Sequence, residues 1–399
     1  MSFPPMMTEG ASRAFKFASC LPSLGWEPVV IGLHSVSGPE IEQVPFEIYY
    51  AGKEYSTREV DAGKLFRIVH GLSEKKFSVR GFSGSNGLGS VEKNWLKKAK
   101  SLARKALDEN PDIEMIYAQA PSFAPHMLAF ELSGENHLPV IFDCTGPFAS
   151  NRLEKTIMHS GHCVIMPSRE LKEFFLRKYR GEIFHEDISI VKNGYDPEVL
   201  RLCGVDDEQG GLMRWVFHVD RVDRGNDLKR FFSALSSLVS AQPAVRGVFS
   251  FAFTGPGSLV VSRYAKKYGL EDLIEADAVW SYRHELELWM GADIICLVLG
   301  SAEGNGAFIP ERLFDTPGMQ ASIAGIVPDG LSKQFILDVG GRTVPIDQSE
   351  AIAGFLQESF TLWRSRQLPV VREAATESYH IRSTMQDFIR EVAVRLPVA

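Results

Sequence analysis

The chain has 399 residues, 45% of them hydrophobic and 23% charged, and carries a net charge of −7 from 43 basic and 50 acidic side chains. That length exceeds one ordinary core and fits two domains of roughly 180–200 residues, while nothing in the acidic balance points to a nucleic-acid partner. The five cysteines (Cys20, Cys144, Cys163, Cys203 and Cys296) are scattered without CxxC spacing, and no run of ~18 apolar residues or signal-peptide pattern occurs, which predicts a cytoplasmic chain with neither disulfides, zinc nor a membrane span.

In chain order, "SRAFKFASCLPSLGW" repeats apolar residues every three or four positions and predicts a helix, followed by a strand in "PVVIGL" near Val29. The stretch "VEKNWLKKAKSLARKALDEN" predicts a long helix. Strands follow in "EMIYAQA", "LPVIFD", "HCVIMPS" and "DISIVKNG", with the helix "SRELKEFFLRKYR" before the last of them. Residues 201–213, "RLCGVDDEQGGLM", are acidic and glycine-containing, as an inter-domain connection is. Beyond it lie the strands "RWVFHV", "FSFAFTG", "ADIICLVL" and "ASIAGIV", the helix "LKRFFSALSSLVS" and a terminal amphipathic helix, "EAATESYHIRSTMQDFIREVAVRL".

Val, Ile and Phe on both faces of these runs predict buried parallel strands. Strands alternating with helices predict an α/β chain of two doubly wound, Rossmann-like domains, at 1–200 and 201–375, with 376–399 packing back on the first. Two such domains would face a central cleft at the carboxyl ends of their strands, where ligands of these sheets bind.

Residues 303–315, "EGNGAFIPERLFD", set Gly304, Gly306, Pro310 and Arg312 among Glu303, Glu311 and Asp315, directly after the strand "ADIICLVL". Glycine lets backbone N–H groups approach a ligand, and proline suits the first turn of a helix. A helix starting there would aim its amides and positive dipole end at a phosphate. An ordinary strand-to-helix loop is the alternative.

Several segments, in this order, resemble family-4 glycosyltransferases of GT-B architecture over nearly the whole chain. They are "SFPPMMTEGASRAFKFASCLPSLGWEPVVIG", "APSFAPHMLAFELSGENHLPVIFD", "VIMPSRELKEFFLRKYR" with "ISIVKNGYDPEVL", "DRVDRGNDLKRFFSAL", "FAFTGPGS", "YRHELELWMGADIICLVL" and "IPERLFDTPGMQASIAGIVPDG". The resemblance implies a retaining, metal-independent transferase without a resident cofactor. Its co-substrate would be a nucleotide sugar, and its acceptor a glycan or lipid-linked saccharide of bacterial surface polysaccharide synthesis.

The resemblance also implies a donor site. Arg221 and Arg224 stand where the family's phosphate-contacting Arg and Lys would be, and a guanidinium fork grips phosphate in a bidentate way. Arg312, Gly255 and the amides after Gly304 and Gly306 would face the same phosphates. Asp315 is the favoured ribose ligand, since a carboxylate accepts two hydrogen bonds, with Glu303 and Glu311 as the other register. Solvated side chains are the alternative for each.

On the acceptor side Asp143 and Pro147 match the family pattern, whereas Thr145, Gly146 and Phe148 depart from it and remove a second aspartate. His126 is the substitute, able to accept a proton or hydrogen-bond a sugar hydroxyl, or else a structural residue of its helix. Gly10 and Arg13 would touch the reacting phosphate or acceptor from across the cleft. Asp220 stands where the family usually has glycine, and its charge would repel phosphate unless the arginines neutralise it. The start at "MSFPP" falls where the family's first strand should be ending, so either the true start lies upstream or the first sheet is one strand short. These departures keep a second reading open, a catalytically inactive GT-B subunit supporting a partner transferase; a nucleotide-sugar epimerase of the same architecture is a third. Two further stretches stand apart. The basic run Lys93, Lys97, Lys98, Lys100, Arg104 and Lys105, with Trp95, suits either an anionic membrane surface or a solvated helix face. "RGFSGSNGLGS" has the composition of a loop that closes over an acceptor.

Overall fold

The structure, a computed structural model, describes residues 11–34, 47–53, 90–119, 124–146, 151–160, 162–202, 211–222, 227–255, 257–276, 282–302 and 305–393. The chain divides into two compact units, Met1–Asn193 together with Thr384–Ala399, and Gly194–Ser383.

In the first unit β1 (Val29–His34) and β2 (Glu47–Lys53) form a parallel pair. A parallel sheet of β3 (Ile116–Gln119), β4 (Val140–Asp143), β5 (Cys163–Met166) and β6 (Ile188–Ile190) runs in sequence order. Among the described residues no ladder joins the pair to the sheet. The flanking helices follow local rules. Ser168 caps the helix Arg169–Lys178 by accepting from the Leu171 amide, with Glu170 in its first turn and Arg177 and Lys178 in its last, all agreeing with the dipole. The helix Ser90–Glu109 buries Trp95, Ala99, Ala103 and Ala106 at helical spacing and packs on β1, β2 and the helix Ala124–Asn136.

This placement separates Trp95 from the exposed Lys93, Lys97 and Lys98 of the basic run. Trp95 is 2% exposed, its indole N–H donating to the Gly32 carbonyl at 3.4 Å, so it does not face a membrane. Lys100 and Arg104 pair with Glu131 and Glu135 of the neighbouring helix Ala124–Asn136. Among the described residues no helix is long and apolar enough to cross a membrane.

The second unit holds one six-stranded parallel sheet: β7 (Met213–Asp220), β8 (Phe249–Thr254), β9 (Ile274–Ala276), β10 (Ile294–Leu299), β11 (Ser322–Ile326) and β12 (Arg342–Val344), in the order β12-β11-β10-β7-β8-β9. From β7 the chain winds outward through β8 to β9, and from β10 it winds the other way through β11 to β12. The switch point therefore lies between β7 and β10, where doubly wound sheets open a crevice for ligands. Trp215 and Phe217 point into an aromatic core with Phe231, Phe232, Phe251 and Phe253, Phe217 stacking on Phe253 at 4.9 Å. Each such burial stabilises by about 1.5–3 kcal/mol. Because side chains alternate along a strand, His218 and Asp220 fall on the opposite face.

Each predicted run holds a strand, β1 and β7 extending past theirs to His34 and to Met213 and Asp220, while β2, β9 and β12 lie outside the predicted runs. The terminal helix is broken: Glu373–Ser378 stops, and Ile381–Ala393 begins again. Between them Tyr195 takes the backbone, its amide donating to the Tyr379 carbonyl at 2.8 Å and its carbonyl accepting from the Ile381 amide at 2.9 Å. Further along, Phe388 packs edge-on to Phe17 at 5.4 Å and Tyr117 at 6.0 Å. The helix expected at Pro310 is a 3-10 turn, Glu311–Gly318, with Pro317 lacking an amide hydrogen near its end. Of the predicted connection, residues 203–210 lie outside the described residues, as do 80–89 of the glycine-rich loop.

Candidate active site

The carboxyl ends of β7 and β10 lie side by side, Asp220 paired with Leu299. Arg221 follows, exposed, with its backbone in the left-handed region at φ +48°. Its guanidinium lies over the Phe308 ring, 3.4 Å from the centroid. The buried Asn305 side chain donates to both the Arg221 carbonyl, at 3.2 Å, and the Gly300 carbonyl, at 2.8 Å. One amide thus ties the 300–308 segment to the end of β7 and holds an exposed cation at the switch point, an arrangement suited to an anionic ligand.

The glycines near this point serve the backbone. Gly255 has φ +86°, and a Cβ there would sit 2.7 Å from the Val219 carbonyl of β7. A Cβ on Gly306 would sit 2.7 Å from the Asp329 carbonyl in the loop after β11. Glu311 is partly exposed, whereas Arg312 is 8% and Asp315 1% exposed, so Asp315 points into the unit as placed. Glu303, Gly304 and Arg224 lie outside the described residues.

Beneath the switch point is a buried polar group that no motif announced. His218 Nδ1 lies 2.8 Å from Glu285 Oε1, Arg312 Nε lies 3.4 Å from Glu285 Oε2, and the Thr254 hydroxyl lies 3.5 Å from His218 Nδ1. The Trp289 ring packs edge-on to His218 at 5.7 Å. Burial pushes the His218 imidazole down, but Glu285 and Asp220 outweigh it and hold the group above its ordinary value. Burial pushes the Glu285 carboxyl up, but His218 and Arg312 bring it below the usual carboxylate range. Asp220 is raised, because burial outweighs His218 and Arg221. Arg312 and Asp220 stand out in the sequence for other reasons; the sequence signal for His218 is a histidine inside the apolar run "RWVFHV".

In the first unit Arg13 and Asp143 meet in the interior, 2% and 0% exposed. Arg13 Nε donates to Asp143 Oδ2 at 2.6 Å. One terminal nitrogen donates to the Lys192 carbonyl at 2.8 Å and Asn193 Oδ1 at 2.5 Å, and the other to the Val191 carbonyl at 2.9 Å. The Tyr117 hydroxyl donates to the same Asp143 oxygen. Burial and then the Asp143 charge push the Tyr117 phenol well above its usual value. Arg13 was expected at a reacting phosphate and Asp143 at an acceptor; the structure instead joins them as a buried pair clamping the segment after β6. His126 is fully buried on the helix Ala124–Asn136, its ring stacked on Phe142 at 5.4 Å and 14°. As placed, none of the three reaches solvent. Gly10, Pro147 and Phe148 lie outside the described residues. No group of three or more His, Cys, Asp or Glu residues is placed to hold a metal among the described residues.

No protein-family model matches the chain, and no curated protein matches it. Solved structures do. A glycosyltransferase from Rickettsia africae ESF-5 aligns over 99% of this chain and 97% of its own, with a TM-score of 0.64 at 15% identity. Sucrose-phosphate synthase from Thermosynechococcus elongatus aligns over 97% and 94%, with a TM-score of 0.59 at 14% identity. An Anabaena protein crystallised in complex with UDP aligns over 74% and 82%, with a TM-score of 0.52 at 12% identity. The likeness shows the fold: the chain has mixed α/β, Rossmann-like units with parallel sheets, as in GT-B glycosyltransferases.

Proposed function

We propose that the chain is a glycosyltransferase that moves a sugar from a nucleotide-sugar donor to a hydroxyl group of a glycan or lipid-linked saccharide, with retention at the anomeric carbon. The observation that carries this reading is Arg221, an exposed cation held by Asn305 at the switch point of the second unit's sheet. The bond from anomeric carbon to diphosphate oxygen breaks, and its electron pair stays on the diphosphate. The acceptor oxygen bonds to that carbon, and its proton passes to the departing phosphate.

Arg221 and Arg224, with Arg312 behind them, stabilise the charge that develops on the departing diphosphate. Gly255, Gly304 and Gly306 let the backbone come close. Glu311 is the better ribose ligand than Asp315 because it retains exposure, and Glu303 is its alternative. His126, Asp143 and Arg13 act from the interior, setting the ends of β4 and β6 rather than touching the acceptor. That sequestration also favours the second reading, an inactive subunit supporting a partner transferase.

Calorimetric titration with UDP-, GDP-, TDP- and ADP-sugars tests the proposal. Micromolar binding of one donor, lost in Arg221→Ala and in Arg224→Ala, is expected. No binding by a folded chain overturns the enzyme reading and puts the partner-subunit reading in its place.

A further inference from the structure

Charged side chains are rare inside a parallel-sheet unit, because removing them from water is costly unless they are paired. Four elements of the second unit nevertheless converge on such a group. His218 comes from β7, Thr254 from the end of β8, Glu285 from the helix Tyr282–Met290 and Arg312 from the turn Glu311–Gly318. Glu285 is fully buried and bridges the other two charges, 2.8 Å from His218 and 3.4 Å from Arg312, whose side chain keeps 10% of its exposure. Apolar side chains of similar volume would fill this space without the desolvation cost. The group sits three residues along β7 from Arg221, beneath the point where the sheet opens. On the donor reading above, on which this inference rests, Arg312 is the inner cation of the diphosphate site.

We propose that Glu285, held in turn by His218, is the positioning residue of Arg312, fixing the guanidinium against which the donor diphosphate binds. The protonated imidazole shares the Glu285 charge and leaves Arg312 its cationic character toward the ligand. His218 is faced by Glu285 from the helix, Arg312 from the turn and Asp220 from its own strand, with the Thr254 hydroxyl beside it. Asp220 is faced by His218, Arg221 and Glu285. When His218 loses its proton, Arg312 is the cation left beside Glu285, with the Thr254 hydroxyl its neutral partner, and affinity for the diphosphate falls as pH rises.

The experiment is calorimetric titration of the full chain with UDP-, ADP-, GDP- and TDP-glucose from about pH 6 to about pH 9, a range in which a diphosphate diester does not titrate. The responding nucleotide sugar, and its parent nucleoside as a phosphate-free control, are then titrated into His218→Gln, Glu285→Gln and Glu285→Asp. Glu285→Gln is expected to weaken nucleotide-sugar binding about tenfold, the effect of removing the charge of a buried ion-pair partner. Nucleoside binding stays unchanged, and Glu285→Asp recovers part of the loss. Wild-type affinity falls with rising pH, and the dependence is absent in His218→Gln. Unchanged affinity in Glu285→Gln overturns the inference, as does equal loss for nucleoside and nucleotide sugar, or a pH dependence that persists in His218→Gln. If Glu285→Gln does not fold, the pH comparison of wild type with His218→Gln decides alone. A folded wild-type chain that binds none of the four overturns the donor reading as well; intact binding in the variants overturns this inference only.

Discussion

Replacing Arg13 with methionine removes a guanidinium from the interior of the first unit while keeping most of its apolar stem. In the native chain that group donates to Asp143 at 2.6 Å, to the carbonyls of Lys192 at 2.8 Å and Val191 at 2.9 Å, and to Asn193 Oδ1 at 2.5 Å. After the change Asp143, with no exposure, keeps the Tyr117 hydroxyl but has lost its cation. Removing one partner of a buried ion pair costs about 3–5 kcal/mol, because the other charge is left uncompensated. The lost carbonyl partners overlap with that figure rather than adding to it, since all belong to one network. Urea unfolding followed by far-UV circular dichroism should therefore show the first unit destabilised by about 3–5 kcal/mol. Adding Asp143→Asn should restore part of the loss by removing the stranded charge. A stability within about 0.5 kcal/mol of wild type, the range of an ordinary surface substitution, would refute the buried-pair argument. Joined to a loss of ligand binding, it would return Arg13 to a substrate contact.

The second unit should have a pH window of stability. Glu285 is depressed below its ordinary 4.5, so its contribution is present above that value and lost as pH falls through the lowered one. His218 is raised above 6.5, so its contribution is complete below 6.5 and lost as pH rises through the raised value. Denaturant midpoints measured across pH check both limbs, and His218→Gln should remove the alkaline one. Gly255→Ala forces a methyl group toward the Val219 carbonyl at φ +86° and should cost about 1–3 kcal/mol by the same unfolding assay. Trp95→Ala empties a core position and should cost about 3–5 kcal/mol; a change under about 1 kcal/mol would show the indole to be available for a surface role.

Much of the architecture was legible because its signals are local. Apolar runs such as "RWVFHV" and "ADIICLVL" are central strands, and a run of Val, Ile and Phe bounded by polar residues has few other uses in an α/β chain. The strands β9 and β12 were not legible: three residues at a sheet edge carry too short a pattern to stand out. The break near Tyr379 was hidden for a different reason. Its cause is Tyr195, far away in sequence, which takes the backbone hydrogen bonds that the helix would have used.

By itself the sequence determined the class of fold, the parallel sense of the strands and the segment after β10 that meets the end of β7. Each follows from periodicity, strand composition and the punctuation of glycine and proline, properties of neighbours along the chain. Only the tertiary structure decided which charged residues stand at the surface and which are enclosed. Arg13 and Arg221 look alike in sequence, yet one is clamped by Asp143 and three residues near Asn193 while the other lies open over Phe308. The lone histidine of β7 became one end of a chain through Glu285 to Arg312. Burial and pairing depend on partners on separate elements, 67 residues apart for His218 and Glu285 and 130 for Arg13 and Asp143, and no short window along the chain contains them.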